Sequence, residues 1–440
     1  MSSAFTYPAQ LAITPLTRPP AATVTVPGSK SITNRALVLA ALSSRETDCT
    51  LTGALRSEDT EVMVDCLRKL GFVVEPDWDQ ATITVRKHGS DRLIPAESAD
   101  LYVANSGTTV RFLAAMVSLS PGRYRLDGVP RMRERPIQDL LDAVGQLGVR
   151  AVSEAGNGCP PVLIESPGLK GGSVDVRAGV SSQFLSGLML AAGFADGPMR
   201  IGISNDADIV SWPYIQMTAD MVWAWGRAMS ADGPEPEHVY NFDGVRQPAP
   251  TYYDIEPDAS AASYFWAAAA ITGGRVTVLG LTRKSLQGDV AFVDVLTQMG
   301  CRVEECDSGV TVHGRPLRGV DVDMNAISDT VMTLGAVACF ADGPTTIRNV
   351  AHIRHKETDR IAALAAELRK LGAEVDEYPD GLRITPRPLT GCAVDTYKDH
   401  RMAMSLALVG LRVPGVVIND PGCVAKTYPG FWHDLDKLRA

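Results

Sequence analysis

Five glycines in this chain, Gly71, Gly148, Gly226, Gly300 and Gly372, stand 77, 78, 74 and 72 residues apart, and each stops the helix of the same recurring phrase. The phrase is an amphipathic helix, a glycine and a short alternating strand, as in "VDCLRKLGFVVEP", "LDAVGQLGVRAVSE", "MVWAWGRAMSAD", "VDVLTQMGCRVEEC" and "AAELRKLGAEVDEY". A residue that follows a helix often takes the left-handed conformation, which glycine adopts without the penalty a Cβ brings. Self-similarity at a fixed period predicts stacked structural repeats. In the last copy Ile361, Leu364, Leu368 and Leu371 form one helical stripe, and Val375 with its neighbours alternates as a half-buried strand.

A second phrase precedes each of these. It is a nearly all-apolar helix, a glycine or proline turn and a strand, as in "NRALVLAALSSRETDCTLTG", "VRFLAAMVSLSPGRYRLDG", "ASYFWAAAAITGGRVTVLG" and "HRMAMSLALVGLRVPGVVIN". Helices apolar on every side are buried ones, so sheets are expected to wrap around them. The result is six units of roughly 70 to 80 residues. The sixth, "YPGFWHDLDKLRA", stops at its helix, and the apolar "LAITPL" near the start is expected to supply its closing strand. Both termini then fall in one domain. A chain of 440 residues exceeds what one core usually supports. The expected division is residues 1–28 with 255–440 as a discontinuous domain, and 29–254 inserted as the other. The proline-broken "DGPEPEHVYNFDG" is expected as a surface turn before the return crossing.

A net charge of −9 argues against a general nucleic-acid or membrane-surface binder, because such partners select for a basic face. Any anion binding must therefore be local. The eight cysteines form no CxxC pair, as expected of reduced thiols in a cytosolic protein. The opening "MSSAFTYPAQLAITPLTRPP" has no cationic n-region and no continuous apolar stretch, and no run of about 18 apolar residues occurs elsewhere. A cytoplasmic protein is expected, and a monomer, since no heptad seam is evident.

The polar residues that solubility does not explain cluster at helix starts. Buried helices open with "GSKSITNR", "NSGTTVR", "SSQ", "SDT" and "KDHR", and amphipathic ones follow "MRERP" and "HKETDR". A helix start offers unpaired N–H groups and partial positive charge, which attract anions. Lys30, Arg35, Arg111, Arg135, Lys356, Arg360, Arg401 and Lys426 would add charge-assisted bonds. Each element alone has a plainer reading. Ser29 or Ser31, Ser181 and Thr358 serve as N-caps, Arg35 or Arg360 as i,i+4 surface partners, Gly107 as a turn glycine, and "KSLQGD" and "SEDTE" as solvated caps. Concentration at equivalent ends of repeated units favours ligand binding, in a cationic cleft expected between the domains. "VPGSKS" departs from a Walker loop, and no GxGxxG, HExxH or GxSxG occurs. No metal and no cofactor are expected.

The segments "VPGSKSITNRALVLAAL", "GTTVRF", "RMRERPI", "SSQFLSGLMLAA", "SWPYIQMT", "ISDTVMTL", "HKETDRI", "YKDHRMAM" and "DPGCVAKTYPGF" together resemble the 5-enolpyruvylshikimate-3-phosphate synthases, in that family's order. The resemblance implies two inside-out α/β domains, each of three βαβαββ units. It also implies a reaction between two small molecules, in which the enolpyruvyl group of phosphoenolpyruvate moves to the 5-hydroxyl of shikimate 3-phosphate, without a metal. By matching motif, Lys30, Gly107, Arg135, Gln183, Arg360, Arg401 and Lys426 would hold phosphoenolpyruvate. Lys30, Ser31, Arg35, Ser181, Ser182, Gln183, Ser211, Tyr214, Asp329 and Lys356 would hold shikimate 3-phosphate. Asp329 would take the hydroxyl proton and Glu357 the methylene proton, with Lys30 a second candidate acid.

Two departures stand out. His352 occupies a position where the family commonly has asparagine, and "NSGTTVRF" puts Ser106 and Phe112 beside the phosphoenolpyruvate site. Competing readings are the related transferase acting on UDP-N-acetylglucosamine and a non-catalytic anion-binding repeat protein. The first usually carries a reactive cysteine where "GVPRMRERPI" has none, and the second is disfavoured by Asp329 and Glu357.

Overall fold

The computed structural model describes residues 5–204, 209–233 and 239–439. The segment Pro234–His238 of the expected acidic turn lies outside them. The chain forms two compact units, Met1–Pro27 with Glu256–Ala440, and Gly28–Ile255.

One repeat shows how the sequence pattern becomes structure. Strand Ser98–Tyr102 leads into the helix Gly107–Val117, and strand Pro121–Asp127 returns parallel to the first. The helix Gln138–Gln146 follows, then strands Arg150–Ser153 and Val162–Pro167 pair antiparallel, the latter also lying antiparallel on Pro121–Asp127. This is a βαβαββ unit. Its first helix is buried along its whole length. With no polar face, it needs apolar neighbours all round, and Tyr124, Leu126, Val162 and Ile164 on the sheet's inner face supply some of them. Within the compact unit Gly28–Ile255, Gly107–Val117 packs on the buried helices of the neighbouring repeats, Ser182–Ala192 and Lys30–Ser43. In the other, His400–Gly410 packs on Val331–Ala338 and Ala259–Thr272. Helices inside and sheets outside invert the usual α/β layering.

Three strands complete their sheets from far along the chain. Gln10–Ala12 lies antiparallel on Val417–Asn419, and is the closing strand expected from the start of the sequence. Ala21–Val24 runs parallel to Arg275–Leu279, although the whole of the inserted unit separates them. Tyr252–Asp254 runs parallel to Cys49–Thr52 and so gives the first repeat its first strand.

All five stop glycines are left-handed, with φ of 91°, 85°, 68°, 114° and 105° in chain order. The helix Arg360–Lys370 buries Ile361, Leu364 and Leu368 on one face, and Leu371 and Val375 continue that buried face beyond it. Its cap corrects one expectation. Asp359, not Thr358, accepts the Ala362 N–H, because the helix begins at Arg360 and the cap must directly precede it. The eight cysteines are all unpaired. No described helix is long and apolar enough to cross a membrane.

Candidate active site

In the unit Gly28–Ile255 the expected residues gather at the starts of the buried helices. Ser29 caps Lys30–Ser43, its Oγ accepting from the Ile32 N–H, and Lys30 reaches the buried Asp59 at 3.3 Å. Ser31 lies in the same first turn, and its carbonyl accepts from Arg35 at 3.0 Å. Arg35 is no surface partner. Its guanidinium is buried and donates to Thr218 Oγ1 at 2.7 Å, Ser186 Oγ and the Tyr214 carbonyl, with the Phe112 ring 5.1 Å away. Burial pushes Arg35 down to about 10, which leaves it a cation at neutral pH. Ser211, left-handed at φ 53°, is the residue before the helix Trp212–Ala224 that carries Tyr214.

Arg111, Arg135, Gly107 and Gln183 meet where two of these helices begin. Arg111 donates to Gln183 Oε1 at 2.6 Å and to the Pro136 carbonyl at 2.9 Å. Gln183 in turn donates to Thr108 Oγ1 at 3.3 Å. Arg135 comes not from a helix start but from the end of the 3₁₀ turn Pro130–Glu134, and donates to the Asn105 carbonyl at 2.8 Å. Ser181 caps the helix Ser182–Ala192 through the Gln183 N–H, as its plainer reading held, and Ser182 is buried at the first position.

The other unit holds cations interleaved with acids. Arg360, 1% exposed, donates to Asp399 Oδ2 at 2.8 Å, to Asp329 Oδ1 at 3.0 Å and to Glu357 Oε2 at 2.8 Å. The second oxygen of Asp329 accepts from Arg401 at 2.6 Å, and Lys356 lies 3.7 Å from the first. Lys426, on the 3₁₀ turn Pro421–Lys426, lies 4.0 Å from Glu357 Oε1. Arg401 also donates to Ser260 Oγ at 3.3 Å, and Ser260 donates to the buried Asp289. Burial and the nearby Asp329 raise Asp289 to about 6. His352 Nε2 lies 2.8 Å from Ser328 Oγ, and burial followed by the Lys356 charge push it down to about 3, so the ring is neutral at pH 7.

Three acids of these networks were not singled out in the sequence. Asp59 and Asp289 sit in "SEDTE" and "KSLQGD"; Ser57 of the first does cap the helix Glu58–Lys69, but neither loop is merely solvated, since both carboxylates are buried. Their signal was an acid at the same register of two repeated loops. Asp399 was hidden because it is also an ordinary N-cap, its Oδ1 accepting the Arg401 N–H at 2.9 Å. Backbone strain marks the same loops. Ala104, Ser211, Tyr397, Lys398 and Asp420 all have positive φ, each in the segment leading to a helix or 3₁₀ turn that bears a residue of these clusters.

Guanidinium and ammonium groups gathered at or beside helix starts, some of them holding buried acids, are groups chemically suited to small, multiply charged anions. A family model for EPSP synthase (3-phosphoshikimate 1-carboxyvinyltransferase) matches residues 17–435. The 3-phosphoshikimate 1-carboxyvinyltransferases of Nostoc punctiforme and Thiobacillus denitrificans are 47% and 46% identical, across 95% and 94% of this chain and 96% of each relative. A solved EPSP synthase from Acinetobacter baumannii has a TM-score of 0.79 at 25% identity, with 98% of both chains covered. The enolpyruvyl transferase NikO from Streptomyces tendae, 20% identical with a TM-score of 0.75 over 98% of this chain and 97% of its own, shares the fold. The chain belongs to the EPSP synthase family, and its fold is the α/β enolpyruvyl transferase fold.

Proposed function

We propose that the chain transfers the enolpyruvyl group of phosphoenolpyruvate to the 5-hydroxyl of shikimate 3-phosphate, releasing phosphate, and that both clusters serve this one reaction. Membership of the family supports the reaction. The observation that carries the residue roles is the Arg360 guanidinium, which holds Asp329 and Glu357 together by charge-assisted bonds.

Each substrate carries a phosphate and a carboxylate, so several cations must replace the hydration lost on binding. Lys30, Arg135, Arg360, Arg401 and Lys426, with Gly107 and Gln183, take phosphoenolpyruvate in this reading. Lys30, Ser31, Arg35, Ser181, Ser182, Gln183, Ser211, Tyr214, Asp329 and Lys356 take shikimate 3-phosphate. A proton must reach the methylene carbon, the adjacent carbon becomes cationic, the 5-hydroxyl attacks and loses its proton, and phosphate leaves as the methyl group returns its proton. Asp329 accepts the hydroxyl proton. An incoming phosphate competes with Glu357 for Arg360 and Lys426, which releases that carboxylate to carry the methylene proton. Lys30 is the second acid. Cytoplasmic location and action as a monomer belong to the same proposal, the first supported by eight unpaired cysteines.

Phosphate release from phosphoenolpyruvate, measured without added metal and with each acceptor in turn, tests the function. Release with shikimate 3-phosphate and none with UDP-N-acetylglucosamine is expected. Release with the UDP sugar alone, or with neither, overturns the reading.

A further inference from the structure

The segment that delivers Arg401 to its cluster is strained, and one helix grips it on both sides. Tyr397 and Lys398 are consecutive left-handed residues, with φ of 54° and 56°, and neither is glycine or asparagine. In that conformation Cβ crowds the following carbonyl, so such residues persist only where the surroundings over-determine them. The turn is closed by the Asp399 N–H donating to the Thr396 carbonyl at 2.8 Å, and the helix His400–Gly410 starts at the next residue.

The grip comes from the helix Arg360–Lys370. Glu367 on it is buried, and its two oxygens bracket the turn. Oε1 accepts from the Tyr397 hydroxyl at 2.7 Å and Oε2 from the Asp395 N–H at 3.0 Å, with Lys370 Nζ 2.8 Å away to balance the charge. Burial and Glu367 push the Tyr397 hydroxyl up to about 12, so it remains a donor at working pH. Seven positions earlier, two helical turns along the same face, Arg360 holds Asp399 at 2.8 Å. The spacing of Arg360 and Glu367 on a rigid helix therefore sets the length and shape of the turn. Beyond it, Asp399 caps the helix that aims Arg401 at Asp329.

We propose that Glu367 and Tyr397 are positioning residues for Arg401: they hold the left-handed turn Tyr397–Lys398 in the shape that presents the Arg401 guanidinium to phosphoenolpyruvate. The inference rests on the reading that Arg401 binds that substrate. Neither residue touches substrate in this account.

Steady-state kinetics of the full chain tests it. Tyr397→Phe keeps the ring and loses the bond to Glu367. It is expected to raise KM for phosphoenolpyruvate about tenfold while KM for shikimate 3-phosphate changes by less than about twofold. Adding Lys398→Gly, which adopts positive φ without strain, is expected to recover at least about threefold of that loss. A structural role alone would move both KM values or the melting temperature, and glycine would not repair it. An unchanged KM in Tyr397→Phe, or no recovery in the double variant, overturns the proposal. Arg401→Ala separates the two layers. If it leaves KM for phosphoenolpyruvate unchanged, the assignment of Arg401 itself falls and the proposal falls with it. If it raises that KM while Tyr397→Phe does not, only the positioning role falls.

Discussion

A Cβ added to Gly107 would lie 2.4 Å from Arg135 Nη2 and 3.0 Å from Arg111 Nη1. Real Cβ atoms do not approach so closely, so one guanidinium must move. Arg135 is pinned by the Asn105 carbonyl at 2.8 Å, and it is the group expected to bind phosphoenolpyruvate. Gly107→Ala is therefore predicted to raise KM for phosphoenolpyruvate by about tenfold or more, since an ångström of misplacement at a charged contact has that scale. Its melting temperature should stay close to that of the parent, because the displaced group is a side-chain tip. Kinetics with phosphoenolpyruvate varied at saturating shikimate 3-phosphate check this.

Arg360 is the cation common to Asp329, Glu357 and Asp399, of which Asp399 is fully buried. Removing the arginine of a buried ion network leaves buried negative charge, above all that of Asp399, without its guanidinium. Arg360→Leu should cost about 3–5 kcal/mol of stability, and Arg360→Leu with Asp399→Leu should cost less than the single change. Urea unfolding of both variants measures the difference. A loss below about 1 kcal/mol in the single variant would show that the network is solvated.

Asp289 gives a pH dependence with a defined sign. Its folded-state value, about 6, lies above the ordinary 3.8 for aspartate, so the folded protein holds that proton more tightly than the unfolded chain. The stabilisation is complete below the ordinary value and is lost as pH rises through the folded one. Between pH 5 and 7.5 this group alone should remove roughly 1 kcal/mol. Asp289→Asn cannot ionise, so its stability relative to the parent should improve by that amount over the same interval. Denaturant unfolding at the two pH values reads the change.

Much of the architecture was legible because it rests on local chemistry that repeats. Gly71, Gly148, Gly226, Gly300 and Gly372 announced left-handed stops, and helices such as His400–Gly410, without a polar face, announced their own burial. The strand Gln10–Ala12 could be expected because the last repeat lacked one. The site was legible in its cations more than in its acids. An isolated aspartate beside a helix start looks the same whether it caps and pairs with an arginine five positions away, as Asp359 does with the Ala362 N–H and Arg354, or caps and holds a fully buried arginine from another helix, as Asp399 does with Arg360. What separates them is a partner 39 positions away. The strain at Tyr397 and Lys398 was likewise invisible, since neither is a residue type that signals positive φ.

The central claim is that one arginine network both binds anions and poises acids for proton transfer, and Glu357→Gln tests it most directly. The amide keeps the size of the side chain and an oxygen to accept from Arg360, but it cannot carry the proton. Turnover should fall by about 10²-fold or more while the affinities for phosphoenolpyruvate and shikimate 3-phosphate, measured by calorimetry, change little. Near-normal turnover in that variant would contradict the account.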